Sequence, residues 1–424
     1  TIKLDGNYPV GTGNVALGNT ALDSVTTGEY NTAIGDVSLT SNTTGVSNVS
    51  LGAFSMENNV GGNYNTSVGV LGLRANTSGA NNTGLGYGAL RSNTTASNNT
   101  AVGYQSGYSN TTGDNLTSVG TTAGYSNTTG RFNTNLGKNA GYSNQTGANN
   151  TTVGNGAGSA NTADSLTAVG SNAATANTSG ANNVAIGKEA LTRNTTGASI
   201  VAIGKDALAF NTTASAHTAI GYQAAYSTVN STTYAITALG YQAARNTTSG
   251  TQSTALGTQA LYSNTTGSNV AVGNTALYAN TTGTANTGIG MAALRFNTTA
   301  SYNTAVGYQA GYTGTTAQQQ TFVGYQAGRL STGSYNTAVG SEALETNAAG
   351  QYNVALGKQA LTLNTSGSYN TGLGTDALLS NTTASYNTAV GYQAAYSNTT
   401  GTQNVALGRL ALLDNTTGGY NVAL

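Results

Sequence analysis

The chain has 424 residues, of which 59 are Gly, one is His, one is Pro, and none is Cys or Trp. Thirteen basic residues balance thirteen acidic ones, giving a net charge of zero. That balance excludes nucleic-acid binding through a basic patch, and the lack of Cys excludes disulfides, thiolate metal sites and a cysteine nucleophile. No apolar run reaches about 18 residues, so no membrane-spanning helix is expected.

Residues 1–13 carry no repeat and read as a lead-in. From Asn14 onward one short phrase recurs: Asn14-Val15-Ala16-Leu17-Gly18, then Asn31-Thr32-Ala33-Ile34-Gly35, and so on through Asn387-Thr388-Ala389-Val390-Gly391. Of the 23 spacings between successive phrase glycines, 19 are 17 residues, three are 16 and one is 19. Residues 14–424 therefore form one repeat region, cut inside its last copy at Asn421-Val422-Ala423-Leu424. That cut, and a start at Thr1, suggest part of a longer protein.

With the glycine as position zero, position −1 is Val, Ile or Leu and position −3 is Thr or Val in every copy. Such alternation is the period of a β-strand, and β-branched residues suit its pleated surface. The glycine permits a bend. An Asn seven residues on usually opens Asn-Thr-Thr-Gly, which reads as a second turn with its Gly near the left-handed conformation. Each rung then has two short strands and two turns. A single rung holds too few apolar residues to offset its backbone entropy, so rungs must stack and pair their backbones. The fold class expected is all-β: a parallel β-solenoid of about 24 rungs of 17 residues, about 115 Å long at the usual strand spacing.

The rows along the stack have distinct chemistry. The −1 aliphatics, among them Ile34, Val102, Ile186, Val306 and Val390, are the expected core. The −3 Thr row exchanges with Val and is read as packing inward with them; the alternative is an outward, ice-binding array. The −4 row, with Asn31, Asn99, Asn183, Asn303 and Asn387, is read as a stacked amide ladder, since Leu116, Leu166, Ile200 and Ile236 take the same slot. His217 also lies there and is read as a ladder substitute rather than a catalytic base. The small −2 row then faces away from the core, where a second chain approaches closely; Phe322 falls in it and would sit at that interface.

The 25 Tyr cluster at positions −5, +1 and +5, forming aromatic ladders or a platform for carbohydrate rings. The turn row spells N-glycosylation sequons, and Asn42, Asn93, Asn110, Asn127, Asn194, Asn264, Asn381 and Asn398 are candidate attachment sites. Thr228–Thr233 and Thr313–Gln320 depart furthest from the repeat and are the expected protruding loops. No enzyme motif, cofactor site or metal site is found: Glu189, Asp206, Glu342 and Asp376 fall at +2 in separate rungs and read as solvated turn residues. A hexapeptide acyltransferase solenoid is disfavoured, because 17 is not a multiple of six.

The phrases Asn183-Val184-Ala185-Ile186-Gly187, Asn353-Val354-Ala355-Leu356-Gly357 and Asn303-Thr304-Ala305-Val306-Gly307 resemble the head repeats of YadA-type trimeric autotransporter adhesins. The run from Asn387 to Ala394 resembles the repeats of long bacteriophage tail fibres. The resemblance covers residues 14–424 and implies a left-handed β-roll, three chains side by side, and a non-enzymatic role in reaching and adhering to surfaces. The rung is longer than the usual adhesin head repeat, and no stalk, anchor or tip domain accompanies it. The reading is a fibre shaft outside the cell, on a virion or cell surface, that assembles as a homotrimer and meets a surface glycan or receptor. The alternatives are a glycan-coated filament built by end-to-end polymerisation, and an ice- or polysaccharide-binding solenoid.

Overall fold

The computed structural model describes residues 10–229, 235–248 and 252–424. The chain divides into two compact units, Thr1–Ser215 and Ala216–Leu424, so the repeat region at 14–424 is two bodies of one architecture. Each is an all-β parallel solenoid, and together they make about 24 turns. Among the described residues there is no helix. The first unit carries strands β1 (Val15–Leu17) to β12 (Val201–Ile203), and the second β13 (Thr218–Ile220) to β25 (Val422–Ala423).

Like residues lie beside like. Val15 faces Thr32, Ala16 faces Ala33 and Leu17 faces Ile34; far along the chain, Thr304 faces Thr321 and Val306 faces Val323. The register survives the irregular spacings. Thr151 still faces Thr167, and Thr218 still faces Thr237, so gained or lost residues are absorbed outside the strands. Each strand ends at the phrase glycine because no side chain fits there. Gly35 has φ 134°, and a Cβ on it would stand 2.6 Å from the carbonyl carbon of Gly52 in the next turn.

Among the described residues one strand forms per rung, not two. The segment after the glycine is a tight arch in which alternate residues are left-handed, as at Val37 (φ 57°) and Leu39 (φ 53°). Its N–H groups still reach the next rung: Leu39 donates to the Ser55 carbonyl at 3.0 Å and Ser41 to the Glu57 carbonyl at 3.1 Å. The arch therefore satisfies its backbone by stacking, although it is not extended. In the Thr-Thr-Gly turn the left-handed residue is not the Gly: Tyr30 (φ 59°) and Ser47 (φ 56°), two residues past Gly28 and Gly45, take that conformation.

The strand faces are the reverse of the sequence reading. Ala33, Ala101, Ala185, Ala305 and Ala389 of the small row are completely buried. Ile34 and Ile186 are each 36% exposed, and Val102, Val306 and Val390 lie on the same outer face, partly exposed. Thr32, Thr100 and Thr304 share it. The aliphatic row is thus not the core of the chain, and the small row does not meet a second chain. The interior is narrow: Leu39, Leu90, Leu191 and Leu344 enter it from the arch, two rows of buried Asn take much of the remainder, and beneath most strands lies a small group such as an Ala methyl. Phe322 is also internal, the largest fully buried side chain among the described residues.

The segment Thr313–Gln320 does not protrude. Thr313 donates its N–H to the Arg329 carbonyl at 3.0 Å, and Gln319 donates to the Ser301 carbonyl at 3.2 Å, so it stacks like any other turn. Gly314 stands where most turns have Asn, but the 17-residue step from Gly307 to Gly324 is intact, which is why the stack continues. Of the other expected loop, residues 230–233 lie outside the described residues.

Candidate functional site

Three sets of side chains run along the stack: amides inside, a Thr-and-aliphatic face outside, and Tyr rows at the turns and arches. The −4 amides act as extra backbone. Asn31 accepts the N–H of Asn48 on its Oδ1 at 3.0 Å and donates from Nδ2 to the Gly45 carbonyl at 2.8 Å. Asn99 accepts from the Leu116 N–H at 2.8 Å, Asn183 from Ile200 at 3.0 Å, Asn303 from Gln320 at 3.0 Å and Asn387 from Asn404 at 2.9 Å. All five are buried. A buried carboxamide is tolerated because both its ends are bonded.

The sequon asparagines form a second internal ladder, and this removes them as glycan sites in the folded chain. Asn42, Asn93, Asn110, Asn127, Asn194, Asn264, Asn381 and Asn398 are all buried. Asn264 Nδ2 is buried without a partner, and in the other seven the Nδ2 atom that would carry a sugar is already a donor: Asn110 gives it to Asn93 Oδ1 at 2.9 Å and to the Gly113 carbonyl at 2.9 Å. Asn381 gives it to Asn364 Oδ1 at 2.8 Å. A sequon is an expression of local sequence, whereas attachment needs an exposed amide.

His217 is buried in the −4 row, and its Nδ1 accepts the Ile236 N–H at 3.0 Å, as an Asn Oδ1 does elsewhere. The proton therefore sits on Nε2, a buried atom without a partner. Burial pulls its pKa down from 6.5 to about 4, so the ring is neutral in the fold. The +2 acids lie in different rungs: Glu189 pairs with Lys188 at 3.4 Å, Asp206 with Lys205 at 3.9 Å, and Glu342 and Asp376 accept from Gln359 and Gln393. Among the described residues, no group of three His, Asp or Glu is placed to hold a metal ion, and no helix is long and apolar enough to cross a membrane.

The outer strand face repeats Thr or Val, then an aliphatic, on every strand. Val49 is 36% exposed, Leu256 39% and Leu356 48%. Beside it the Tyr rows stack. In the −5 row Tyr335, Tyr352, Tyr369 and Tyr386 lie 4.9 to 5.0 Å apart with planes within 8°. In the +5 row Tyr108, Tyr125 and Tyr142 are spaced at 5.1 Å. Sandwiched between its neighbours, the Tyr125 hydroxyl has a raised pKa, first through burial and then through the nearby Tyr108 and Tyr142.

One relationship escaped the sequence reading although its signal was present. The −2 and +4 side chains meet in the interior, and where the −2 residue is bulky the +4 residue is Gly. Ala33 is followed six residues later by Leu39, and a Cβ on Gly84 would meet Leu73 of the preceding rung at 3.5 Å, whereas the bulkier Asn135, Thr152 and Phe322 are each followed six residues later by Gly141, Gly158 and Gly328. No protein-family model matches the chain, and no curated protein matches it either.

Proposed function

We propose that the chain is the shaft of an extracellular fibre, on a virion or cell surface, which assembles laterally through its outer strand face and holds an attachment surface away from its base. The observation behind this reading is the outward placement of the aliphatic row. An unbroken series of strands in each unit presents Thr304- and Val306-like pairs in register, a larger ordered apolar stripe than a solitary soluble chain ordinarily leaves in water. A second copy laid against that face covers the stripe without any change in the fold. The resemblance to trimeric adhesin heads and phage tail fibres makes three chains the expected number, with a left-handed coil.

Analytical ultracentrifugation of the purified chain tests the reading. A trimer that becomes a monomer when Val306→Asp and Val390→Asp are introduced, with circular dichroism unchanged, supports it. A wild-type monomer at high concentration overturns lateral assembly. The outward threonines favour one second reading, an ice-binding array at strand spacing; a monomer that inhibits ice recrystallisation, and loses that activity in Thr304→Lys, supports that reading instead.

A further inference from the structure

The +5 tyrosine row is interrupted in a particular way. Several of its other end rings carry a guanidinium group on their free face. Arg91 lies 5.3 Å from the centre of the Tyr108 ring, Arg245 sits between Tyr226 and Tyr262 at 5.1 and 5.8 Å, and Arg295 lies between Tyr278 and Tyr312 at 5.9 and 6.0 Å. At Tyr142 the row simply stops. One face of that ring stacks on Tyr125 at 5.1 Å. The next residues in the row are Ser159 and Thr175, which bring no ring and no cation to the other face. Tyr142 is correspondingly 37% exposed.

The space left by the missing rings is a groove of about 590 Å³, within the range of small-molecule sites. Tyr142 forms one wall, and Asn139, Asn155, Asn172, Ser159 and Thr175 form much of the rest. Its floor is open because Gly156 stands in the +2 row between Asn139 and Asn172. The Asn139 carboxamide is held by a 2.5 Å bond from Thr122 Oγ1, and Thr175 Oγ1 donates to the Gly156 carbonyl at 3.3 Å. The polar lining is therefore carboxamides and hydroxyls around one aromatic face, with Gly156 and Ala160 between them, and none of the lining residues is charged.

We propose that this groove binds a neutral sugar ring, stacked on the open face of Tyr142 where the next tyrosine of the ladder would lie. A pyranose presents a flat array of C–H groups to an aromatic face and hydroxyls around its rim. The amide and hydroxyl groups here match that rim, since each both donates and accepts. An anionic ligand would lack a cationic partner. The inference extends the attachment role proposed above, but it is read on a single chain and does not depend on lateral assembly.

Saturation-transfer NMR on the full chain tests it, with cellotetraose, maltotetraose, xylotetraose and mannotetraose as probes and adenosine monophosphate as a planar, anionic comparison. At least one neutral oligosaccharide is expected to bind the wild type. Tyr142→Ala removes the platform, and Ser159→Tyr fills the vacancy by extending the ladder; each is expected to weaken binding at least about tenfold, roughly 1.4 kcal/mol. Ser159→Tyr should not lower the unfolding temperature. If it does, Gly156→Gln serves the same purpose, because Gln105 and Gln223 occupy that row elsewhere with the same left-handed backbone. Failure of all four sugars to bind overturns the proposal, as does wild-type affinity in Ser159→Tyr or in its Gly156→Gln replacement. Binding of the nucleotide in preference to the sugars overturns the ligand class. Ultracentrifugation of the same samples reports assembly separately.

Discussion

The ring of Phe322 occupies the space that a side chain at Gly328 would need: a Cβ built on Gly328 stands 2.5 Å from the Phe322 Cε1 atom. In neighbouring rungs the same two places hold Ala305 with Gly311 and Ala338 with Leu344. The Phe ring borrows room from two glycines, since a Cβ on Gly311 would also come within 2.9 Å of it. A bulky side chain from the strand is accommodated by glycines on the opposite side of the coil.

Phe322→Ala alone should therefore leave a cavity and destabilise the second unit by about 3–5 kcal/mol. Gly328→Leu alone should be worse, because the new side chain meets the ring. The double variant Phe322→Ala/Gly328→Leu recreates the pairing of Ala338 with Leu344 and should recover most of the loss. Thermal unfolding of the three variants checks this; additive losses would contradict the volume argument.

Adjacent residues on one strand should respond in opposite ways to the same charge. Ala305 is fully buried, so Ala305→Asp puts a carboxylate in an interior with no cation and should prevent stable folding of its rungs. Val306 is on the outer face, and Val306→Asp should keep the β spectrum. Circular dichroism and limited proteolysis separate the two outcomes.

The sequon asparagines should behave as structure and not as modification sites. Asn381→Ala removes the donor to Asn364 and to the Ala384 carbonyl and should cost about 1–3 kcal/mol through the groups left unpaired. Peptide mapping of chain secreted from a glycosylating host should find Asn110 and Asn381 unmodified in the folded fraction.

The single histidine makes the second unit sensitive to mild acid. His217 has a folded pKa near 4 against 6.5 when unfolded. Between those values the unfolded chain takes up a proton that the fold refuses, so stability falls as pH drops from about 6.5 towards 4, by about 3 kcal/mol in all. His217→Asn, which restores the commonest residue of its row, should flatten that part of the profile. Denaturant midpoints measured at pH 7, 5.5 and 4.5 for both proteins check the sign and the window.

The repeat alone determined the parallel coil, because glycines at a near-constant interval with alternating residues before them have one economical solution: each rung completes the hydrogen bonds of the last. The inward −4 slot was also legible, since Leu116 and Ile200 replace Asn there. Which face of the strand turns inward was not legible. A three-residue strand such as Thr32–Ile34 offers two faces, and hydrophobicity favoured the wrong one. The choice was made by the arch and the amide rows from the far side of the coil, which fill the interior until only Ala33 fits beneath the strand and Ile34 is left outside. The same burial decided the fate of the sequons, because it depends on what stands opposite a residue in space, and a one-dimensional repeat carries no measure of that distance.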